Sequence, residues 1–481
     1  MVIFALVAIA ACLAVFIVVF RYLAVARFLK AGAEEAARGM STVLDGQLGD
    51  NAKETAVRKS GLVLLFNLFQ FLWRIGTCVA AAAPIVWLFD QTGLTTAKAM
   101  LDLSLSWEFI LGTSVIGVLV ATHFSRKRKT NQGNSSYSFA DRLVHGIAFS
   151  SRDLQLTAAD FDQRIMGRRI DGIPDQPPIF ITSLPRAGTT VLLNAMNDVP
   201  SLATHLYRDM PFITAPLLWS KLSKSFKKNT EERERAHGDG LTVGFDSPEA
   251  FEEVFWRMFW PQKYTDETIE LWHEDDLNNE AARFFKEHFR KIVALRTDGQ
   301  GRYISKNNGN IGRLDLLPLM FPGCQIIVPF RDPVEHAASL LRQHLNFLQQ
   351  QAEDPFVARY MCDIGHFEFG ELHRPFAFPG FAPGGRSPQD ADYWLAYWIA
   401  AYHHIKTCAD GALFIASESF GRDGEKLMHQ LCNRIGVQHD TVPFSGHFRP
   451  IAPRANRAAF SSNLIDEAYG VLDDLKVRDL F

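Results

Sequence analysis

The octapeptide SLPRAGTT, Ser183 to Thr190, carries residue types that bind an anion. An apolar run from Ile179 to Thr182 precedes it, and a second apolar run begins at Val191, so the pattern predicts a strand, a tight turn and a helix. A turn of this kind aims several backbone N–H groups and the positive end of the helix dipole at one point. The sequence therefore predicts a phosphate-binding loop.

The loop differs from the nucleotide-binding P-loop pattern GxxxxGK[ST] at two positions. Ser183 replaces the first glycine, and Thr189 replaces the lysine that would reach the β and γ phosphates. Arg186 supplies positive charge from inside the loop, and the threonine hydroxyls can donate to a single phosphate group. The predicted binding residues of this loop are Arg186, Ala187, Gly188, Thr189 and Thr190.

A second stretch, CQIIVPFRDPVEHAASLLRQH, predicts another anion site. Its β run ends at Arg331, and Asp332 and Pro333 have the positions of a helix N-cap and a first-turn residue. Ser339 follows eight residues after Arg331. An arginine at the strand end and a serine two turns into the helix can bind one anion from different directions.

With these two motifs the chain resembles the sulfotransferases that use 3′-phosphoadenosine 5′-phosphosulfate (PAPS), in the branch whose loop reads PRSGTT, and looks like a membrane-anchored, bacterial-like member. The resemblance extends from about Pro178 to Gly436 and includes the late segment LFIASESF, with Glu418 in register. It implies that the loop binds the 5′-phosphosulfate and that Arg331 and Ser339 bind the 3′-phosphate. PAPS is then a co-substrate, the reaction needs no metal, and no metal site is predicted.

The resemblance also implies catalytic residues for transfer of a sulfuryl group to an acceptor hydroxyl. Arg186 would stabilise the charge on the leaving phosphate, and Lys306 matches a family lysine although its turn reads SKNN. A base must take the acceptor proton, and we expect Asp209 first and His205 second. The competing candidates are Glu249, Glu252, Glu253 and the pair His237 and Asp239.

Short apolar runs alternate with amphipathic helical stretches along the C-terminal two thirds of the chain. The predicted strands are Ile179 to Ser183, Arg302 to Ser305, Gln325 to Phe330 and Ala412 to Ala416. Because each is followed by a helical pattern, we predict an α/β fold with a P-loop-NTPase-like parallel sheet flanked by helices.

An α-helical transmembrane region is predicted before this domain. The apolar runs are Met1 to Phe20, Leu62 to Phe89 and Phe109 to Phe124, and they predict about three membrane-crossing helices. The third run has only 16 residues, so a buried helix of a soluble domain is the alternative for it. Basic residues dominate the connection after the first run and follow the third run at residues 126–129, so the positive-inside rule puts the C-terminal part in the cytoplasm. The prediction is an integral, multi-pass membrane protein with a cytoplasmic catalytic domain.

These patterns predict a transmembrane region of about three helices at residues 1–129, a linker at 130–137 and a sulfotransferase domain at 138–481. A net charge of −3 gives no support for a nucleic-acid partner. The expected partners are the lipid bilayer and a hydroxyl-bearing acceptor, such as a lipid, a glycolipid, a glycan or a small molecule. Two alternatives stay open: a nucleotide-dependent kinase, disfavoured by the missing loop lysine, and a non-catalytic membrane scaffold with a nucleotide-binding fold.

Overall fold

The computed structural model describes residues 2–24, 50–104, 145–146, 148–149, 151–223, 233–234, 242–243, 246–249, 251–439, 442–449 and 452–480. The chain divides into two compact units, Met1–Gly133 and Asn134–Phe481. Several predicted features lie outside the described residues: the third apolar run, the basic cluster at 126–129, the linker at 130–137, and His237 with Asp239.

The first unit contains three described helices, α1 (Val2–Tyr22), α2 (Asp50–Gln91) and α3 (Ala97–Ser104). Ala8 of α1 and Met100 of α3 are buried in one small apolar cluster, against which Phe89 of α2 packs. In the described part of the chain, the segment Phe66–Gln91 is long and apolar enough to cross a membrane by length and composition, and Val7–Tyr22 is a shorter apolar helix.

The second unit is built on five parallel strands. These are β1 (Ile179–Ile181), β2 (Leu202–Ala203), β5 (Arg302–Lys306), β6 (Gln325–Phe330) and β7 (Leu413–Ala416), in the order β2-β5-β1-β6-β7. Two further strands among the described residues, β3 (Arg233–Glu234) and β4 (Thr242–Val243), form a separate antiparallel pair. All four strands predicted from the sequence are confirmed to within two residues. The two-residue β2 is too short to give an apolar run of its own.

Helices connect the strands and cover the sheet. They are α4 (Arg152–Met166), α5 (Thr189–Asn197), α6 (Pro216–Ser223), α7 (Glu252–Phe259), α8 (Asn279–Arg296), α9 (Leu317–Met320), α10 (Pro333–Glu353), α11 (Pro355–Ile364), α12 (Ala391–Cys408), α13 (Ser417–Ile435) and α14 (Ser462–Val477).

Both faces of the sheet are buried, because successive side chains of a strand point to opposite faces. Phe180 belongs to an aromatic-rich cluster with residues of α8, α10, α12 and α14, whereas Ile181 belongs to an aliphatic cluster with residues of α5 and α13. Parallel strands covered on both faces read as continuous apolar runs, which is why the sequence pattern identified them. The predicted parallel sheet flanked by helices is confirmed.

The strand order creates a crevice at the carboxyl ends of the neighbouring strands β1 and β6. After β1 the chain moves towards β2, and after β6 it moves to the other side, to β7. Connections that leave neighbouring strands in opposite directions open a crevice at their carboxyl ends, which is where open α/β sheets bind ligands. The segments that follow Ile181 and Phe330 therefore meet at this crevice.

Candidate active site

The predicted strand, turn and helix around SLPRAGTT are present. β1 ends at Ile181, α5 begins at Thr189, and Gly188 is the N-cap residue with a φ of 92°. A Cβ atom at Gly188 would lie 3.2 Å from Ser417 Oγ, so the position needs glycine both for backbone conformation and for space. Arg186 also has a positive φ, 73°, which a side-chain-bearing residue adopts at an energetic cost.

Three consecutive carbonyl groups of the loop accept hydrogen bonds from side chains of other elements. The donors are His336 Nε2 (2.7 Å), Arg331 Nη1 (3.2 Å) and Ser417 Oγ, which bond the carbonyls of Pro185, Arg186 and Ala187 in turn. In a planar trans peptide the C=O and the next N–H point in opposite directions. The N–H groups of residues 186–188 therefore point away from these three side chains, which is the orientation that a backbone anion cradle requires.

Two of these three donors were missed by motif-based reasoning. Ser417 begins α13, and His336 lies in α10 between Arg331 and Ser339. Nothing in the spacing of either residue distinguishes it from an ordinary buried side chain. Their partners are backbone carbonyls, and only the folded chain shows which carbonyl a side chain will meet.

The two predicted anion motifs come together at the crevice. Arg186 Nε donates to Ser339 Oγ over 3.3 Å, although 153 residues separate them in the chain. Arg331 reaches the same loop through the Arg186 carbonyl. Burial lowers the pKa of the Arg331 guanidinium, and its buried Nε has no hydrogen-bond partner among the described residues. A buried guanidinium N–H without an acceptor is costly, which favours an anion as its partner.

The start of α10 is organised as the sequence predicts. The side chain of Asp332 caps the helix by accepting from Val334 N (3.0 Å) and Glu335 N (2.9 Å). Tyr469 of α14 donates to the other carboxylate oxygen of Asp332 over 2.7 Å. Glu418, the in-register glutamate of the late segment LFIASESF, accepts a hydrogen bond from Asp332 N over 2.9 Å. It therefore holds the peptide next to Arg331.

Lys306 lies on the other side of the loop, at the end of β5. Its Cα pairs with that of Ile181, the last residue of β1. Its Nζ is 3.7 Å from Glu249 Oε1, and Tyr207 donates to Glu249 Oε2 over 2.7 Å. Two residues further on, Asn308 Oδ1 accepts from Thr189 Oγ1 over 3.3 Å. The structure thus brings Lys306 and Glu249 to the same edge of the sheet as the loop.

Asp209 and His205, the first two base candidates, lie in a buried network with α8. They are 2% and 1% exposed. The Asp209 carboxylate contacts the Arg296 guanidinium and lies 3.2 Å from His205 Nδ1, and His205 Nε2 lies 2.9 Å from His288 Nε2. Burial alone would raise the pKa of Asp209, but His205 and Arg296 outweigh it and hold that pKa below its usual value.

Glu252 and Glu253 are also engaged inside the fold. Glu252 accepts from Tyr303 OH over 2.6 Å, and burial raises the pKa of its carboxyl group. Glu253 pairs with Arg313 over 2.6 Å, and this contact outweighs burial and lowers the Glu253 pKa. The Arg313 guanidinium lies 4.4 Å and 4.3 Å from the rings of Trp256 and Trp272, so the pair is part of an aromatic core.

A small cavity of about 30 Å³ adjoins the loop. Leu184, Pro185 and Asn308 border it on the side of the loop, and aromatic residues such as Phe369 and Phe376 border it elsewhere. This volume holds about two water molecules. Over the ranges that the structure describes, no group of three or more His, Cys, Asp or Glu side chains is arranged to hold a metal ion.

The fold and the loop define an α/β protein whose two predicted anion motifs meet at the carboxyl ends of its parallel strands. Residues 177–368 match the sulfotransferase family model. The matched segment contains both predicted anion motifs and Lys306.

The chain is also similar to two solved mycobacterial structures. Sulfotransferase STF9 from Mycobacterium avium is 12% identical, with coverage of 69% of this chain and 83% of that one and a TM-score of 0.40. Sulfotransferase STF1 from Mycobacterium tuberculosis H37Rv is 12% identical, with coverage of 74% and 91% and a TM-score of 0.40. No curated protein matches the chain.

Proposed function

We propose that the chain transfers a sulfuryl group from PAPS to the hydroxyl group of an acceptor. The match of residues 177–368 to the sulfotransferase family model supports sulfuryl transfer in general. The observation that carries the donor assignment is the meeting of Arg186, Ser339 and Arg331 at one crevice. A nucleotide with phosphate groups at its 5′ and 3′ positions presents two anions. The crevice offers Arg186 and the backbone N–H groups of the loop for one anion, and Arg331 and the Ser339 hydroxyl for the other.

The loop holds the 5′-phosphosulfate of the donor in this proposal. The N–H groups of residues 186–188, the N-terminus of α5 and the hydroxyls of Thr189 and Thr190 all suit a phosphate ester. Arg331 and Ser339 hold the 3′-phosphate. Arg186, which contacts Ser339, lies between the two anion positions and stabilises the charge that develops on the leaving phosphate.

The acceptor hydroxyl loses its proton as the new sulfur–oxygen bond forms and the bond from sulfur to the leaving phosphate oxygen breaks. We propose that Glu249, one of the sequence candidates, accepts this proton as the general base, because Lys306 holds its carboxylate beside the loop. Asp209 remains a candidate, but its partners are Arg296 and His205 of the buried network with α8 and not Lys306. Lys306 lies beside Glu249 and binds the sulfuryl group during its transfer.

Donor preference tests the proposal most directly. We expect adenosine 3′,5′-bisphosphate to raise the Tm of the 481-residue chain in detergent more than ATP does, since a ligand at 100 times its Kd contributes about 2.7 kcal/mol to stability. A preference for ATP would overturn the proposal and favour a kinase. Donor-product binding with no turnover on any acceptor would favour the scaffold.

Two arginine variants make this measurement specific. Arg331→Ala should lower the affinity for adenosine 3′,5′-bisphosphate by about 10- to 100-fold, because a hydrogen bond to a charged group contributes about 1.5–3 kcal/mol. Arg434→Ala removes an exposed arginine from the last turn of α13 and should leave the affinity unchanged. Equal affinities in the two variants would remove Arg331 from the donor site.

We also propose that the N-terminal unit anchors the enzyme in a bilayer with the catalytic part in the cytoplasm. The segment Phe66–Gln91 has the required length and composition, and it exposes large apolar side chains such as Phe69 (64%) and Trp73 (67%). An anchored enzyme meets acceptors at the membrane surface, so a lipid or glycolipid alcohol is the acceptor class that we propose.

Membrane fractionation tests the anchor. The full chain should stay with the membrane pellet through an alkaline carbonate wash and leave it only with detergent, because spanning helices are released by detergent and peripheral proteins by alkali. Recovery of the chain in the carbonate supernatant would contradict the anchor and leave the donor assignment unaffected.

A further inference from the structure

The buried histidine His336 contacts the loop on the side of its carbonyl groups, opposite the proposed anion. It lies in α10, is 0% exposed and forms two hydrogen bonds. Its Nε2 lies 2.7 Å from the Pro185 carbonyl oxygen, and its Nδ1 lies 3.1 Å from Trp398 Nε1. Pro185 belongs to the first anion motif, whereas Trp398 lies in α12, outside both motifs.

These two neighbours determine the protonation state of the ring. An indole N–H can only donate and a carbonyl oxygen can only accept. Nδ1 must therefore accept from Trp398, and the single proton must be on Nε2, where it is donated to Pro185. Burial, together with the nearby Arg331 and Arg186 guanidinium groups, lowers the pKa of His336 to about 3, which agrees with a neutral ring.

α12 supports the loop at a second point. Tyr402 lies one turn after Trp398, their rings are 4.4 Å apart, and the Tyr402 hydroxyl is 2.8 Å from Ser183 Oγ. The loop is thus held at Ser183 by α12 and at Pro185 by α10 through a histidine that α12 orients. The peptide fixed at Pro185 carries the N–H group of Arg186, which is the first of the three directed towards the proposed anion.

We propose that His336 is a positioning residue, oriented by Trp398, that fixes the Pro185 peptide and thereby sets the affinity of the loop for the donor. The donor part of this inference rests on the proposed function, whereas the anchoring of the loop does not. Without the bond from Nε2, the Pro185 peptide can rotate. The Arg186 N–H then no longer points into the cradle.

Three variants of α10 test the inference. His336→Phe keeps a ring of similar shape and removes the donor, and His336→Gln keeps a side-chain N–H at a similar reach. His344→Phe is the matched control. His344 is a buried histidine on the same helix, 3% exposed, whose Nδ1 accepts from Gly370 N over 3.1 Å and does not serve the loop.

Two readouts on the full chain separate positioning from general stability. We expect His336→Phe to lower the affinity for adenosine 3′,5′-bisphosphate by about 5- to 30-fold, because one backbone N–H group of the loop no longer donates to the ligand. It should also speed hydrogen–deuterium exchange of the amides at 184–190. His336→Gln should recover most of both effects. His344→Phe should lower the Tm while leaving the affinity and the exchange of this loop as in the parent chain.

Unchanged affinity and unchanged loop exchange in His336→Phe would overturn the inference, as would equal effects of His344→Phe. If His336→Phe does not fold, Trp398→Phe replaces it, because this variant removes the indole N–H that orients His336 and leaves a smaller ring in its place, and the same two shifts are expected. If the parent chain binds no adenosine 3′,5′-bisphosphate, the proposed function fails and the exchange readout alone decides whether His336 anchors the loop.

Discussion

Glu249 and Asp209 are both buried carboxylates of the second unit, but their partners differ. Glu249 contacts the ammonium group of Lys306 at the edge of the sheet beside the loop. Asp209 contacts Arg296 and His205 inside the buried network with α8. A general base must be within hydrogen-bond reach of the proton that it accepts, so position decides between two side chains of the same chemistry.

Replacing each carboxylate by its amide gives the residue-scale prediction. Glu249→Gln should lower kcat by about 100-fold or more with little change in donor affinity, since general-base catalysis contributes about 10²–10⁴-fold. Asp209→Asn should mainly lower the Tm, because it leaves Arg296, whose side chain is only 13% exposed, without its anionic partner. The measurements are single-turnover rates and thermal melts of both variants. A larger loss of rate in Asp209→Asn would return the role of the base to Asp209 or to His205.

At the scale of elements, α10 supplies more of the candidate site than any motif indicated. Arg331 precedes it, Asp332 caps it, and His336 and Ser339 follow on its first two turns. The cap matters because it sets where the helix begins, and one residue of shift would rotate His336 and Ser339 by about 100°. The site therefore depends on the geometry of a helix start.

Removing this cap gives the prediction for the element. Asp332→Ala should destabilise the chain by about 1–2 kcal/mol, because the N–H groups of Val334 and Glu335 lose their acceptor. Asp332→Asn should retain most of the stability, since an asparagine oxygen also caps. Thermal melts of the two variants, with donor-product affinity measured alongside, check this. A neutral effect of alanine would mean that the contacts of α10 with the sheet alone fix its start.

At the scale of the whole molecule, the aromatic core contains several histidines that are held neutral. Burial lowers the pKa of His336 from 6.5 to about 3 and the pKa values of His344 and His373 from 6.5 to about 4, and it lowers the pKa of His288 well below 6.5. In the unfolded chain each imidazole binds a proton below pH 6.5, whereas the folded chain does not. Protons therefore favour unfolding in this window.

The expected consequence is a loss of stability on acidification. Stability should be fully present above about pH 6.5 and should fall towards pH 4, by about 1.4 kcal/mol per pH unit for each such buried histidine. Tm measured at pH 7.5, 6.0 and 5.0 checks this, with His403→Gln as a control because His403 is exposed on α12. A Tm that does not change between pH 7.5 and 5.0 would show that these rings do not stay neutral in the folded chain.

The sequence by itself determined four of the five strands of the parallel sheet, the start of α10 and the two anion motifs. Apolar runs identified β1, β5, β6 and β7 because buried parallel strands are apolar on both faces, and the Asp-Pro pair identified the start of α10 because capping is a local interaction. Only the tertiary structure decided which side chains hold the loop carbonyls and which carboxylate lies beside Lys306. Those contacts join residues such as Arg186 and Ser339, 153 positions apart, and their geometry depends on strand order and helix rotation, which no local pattern encodes.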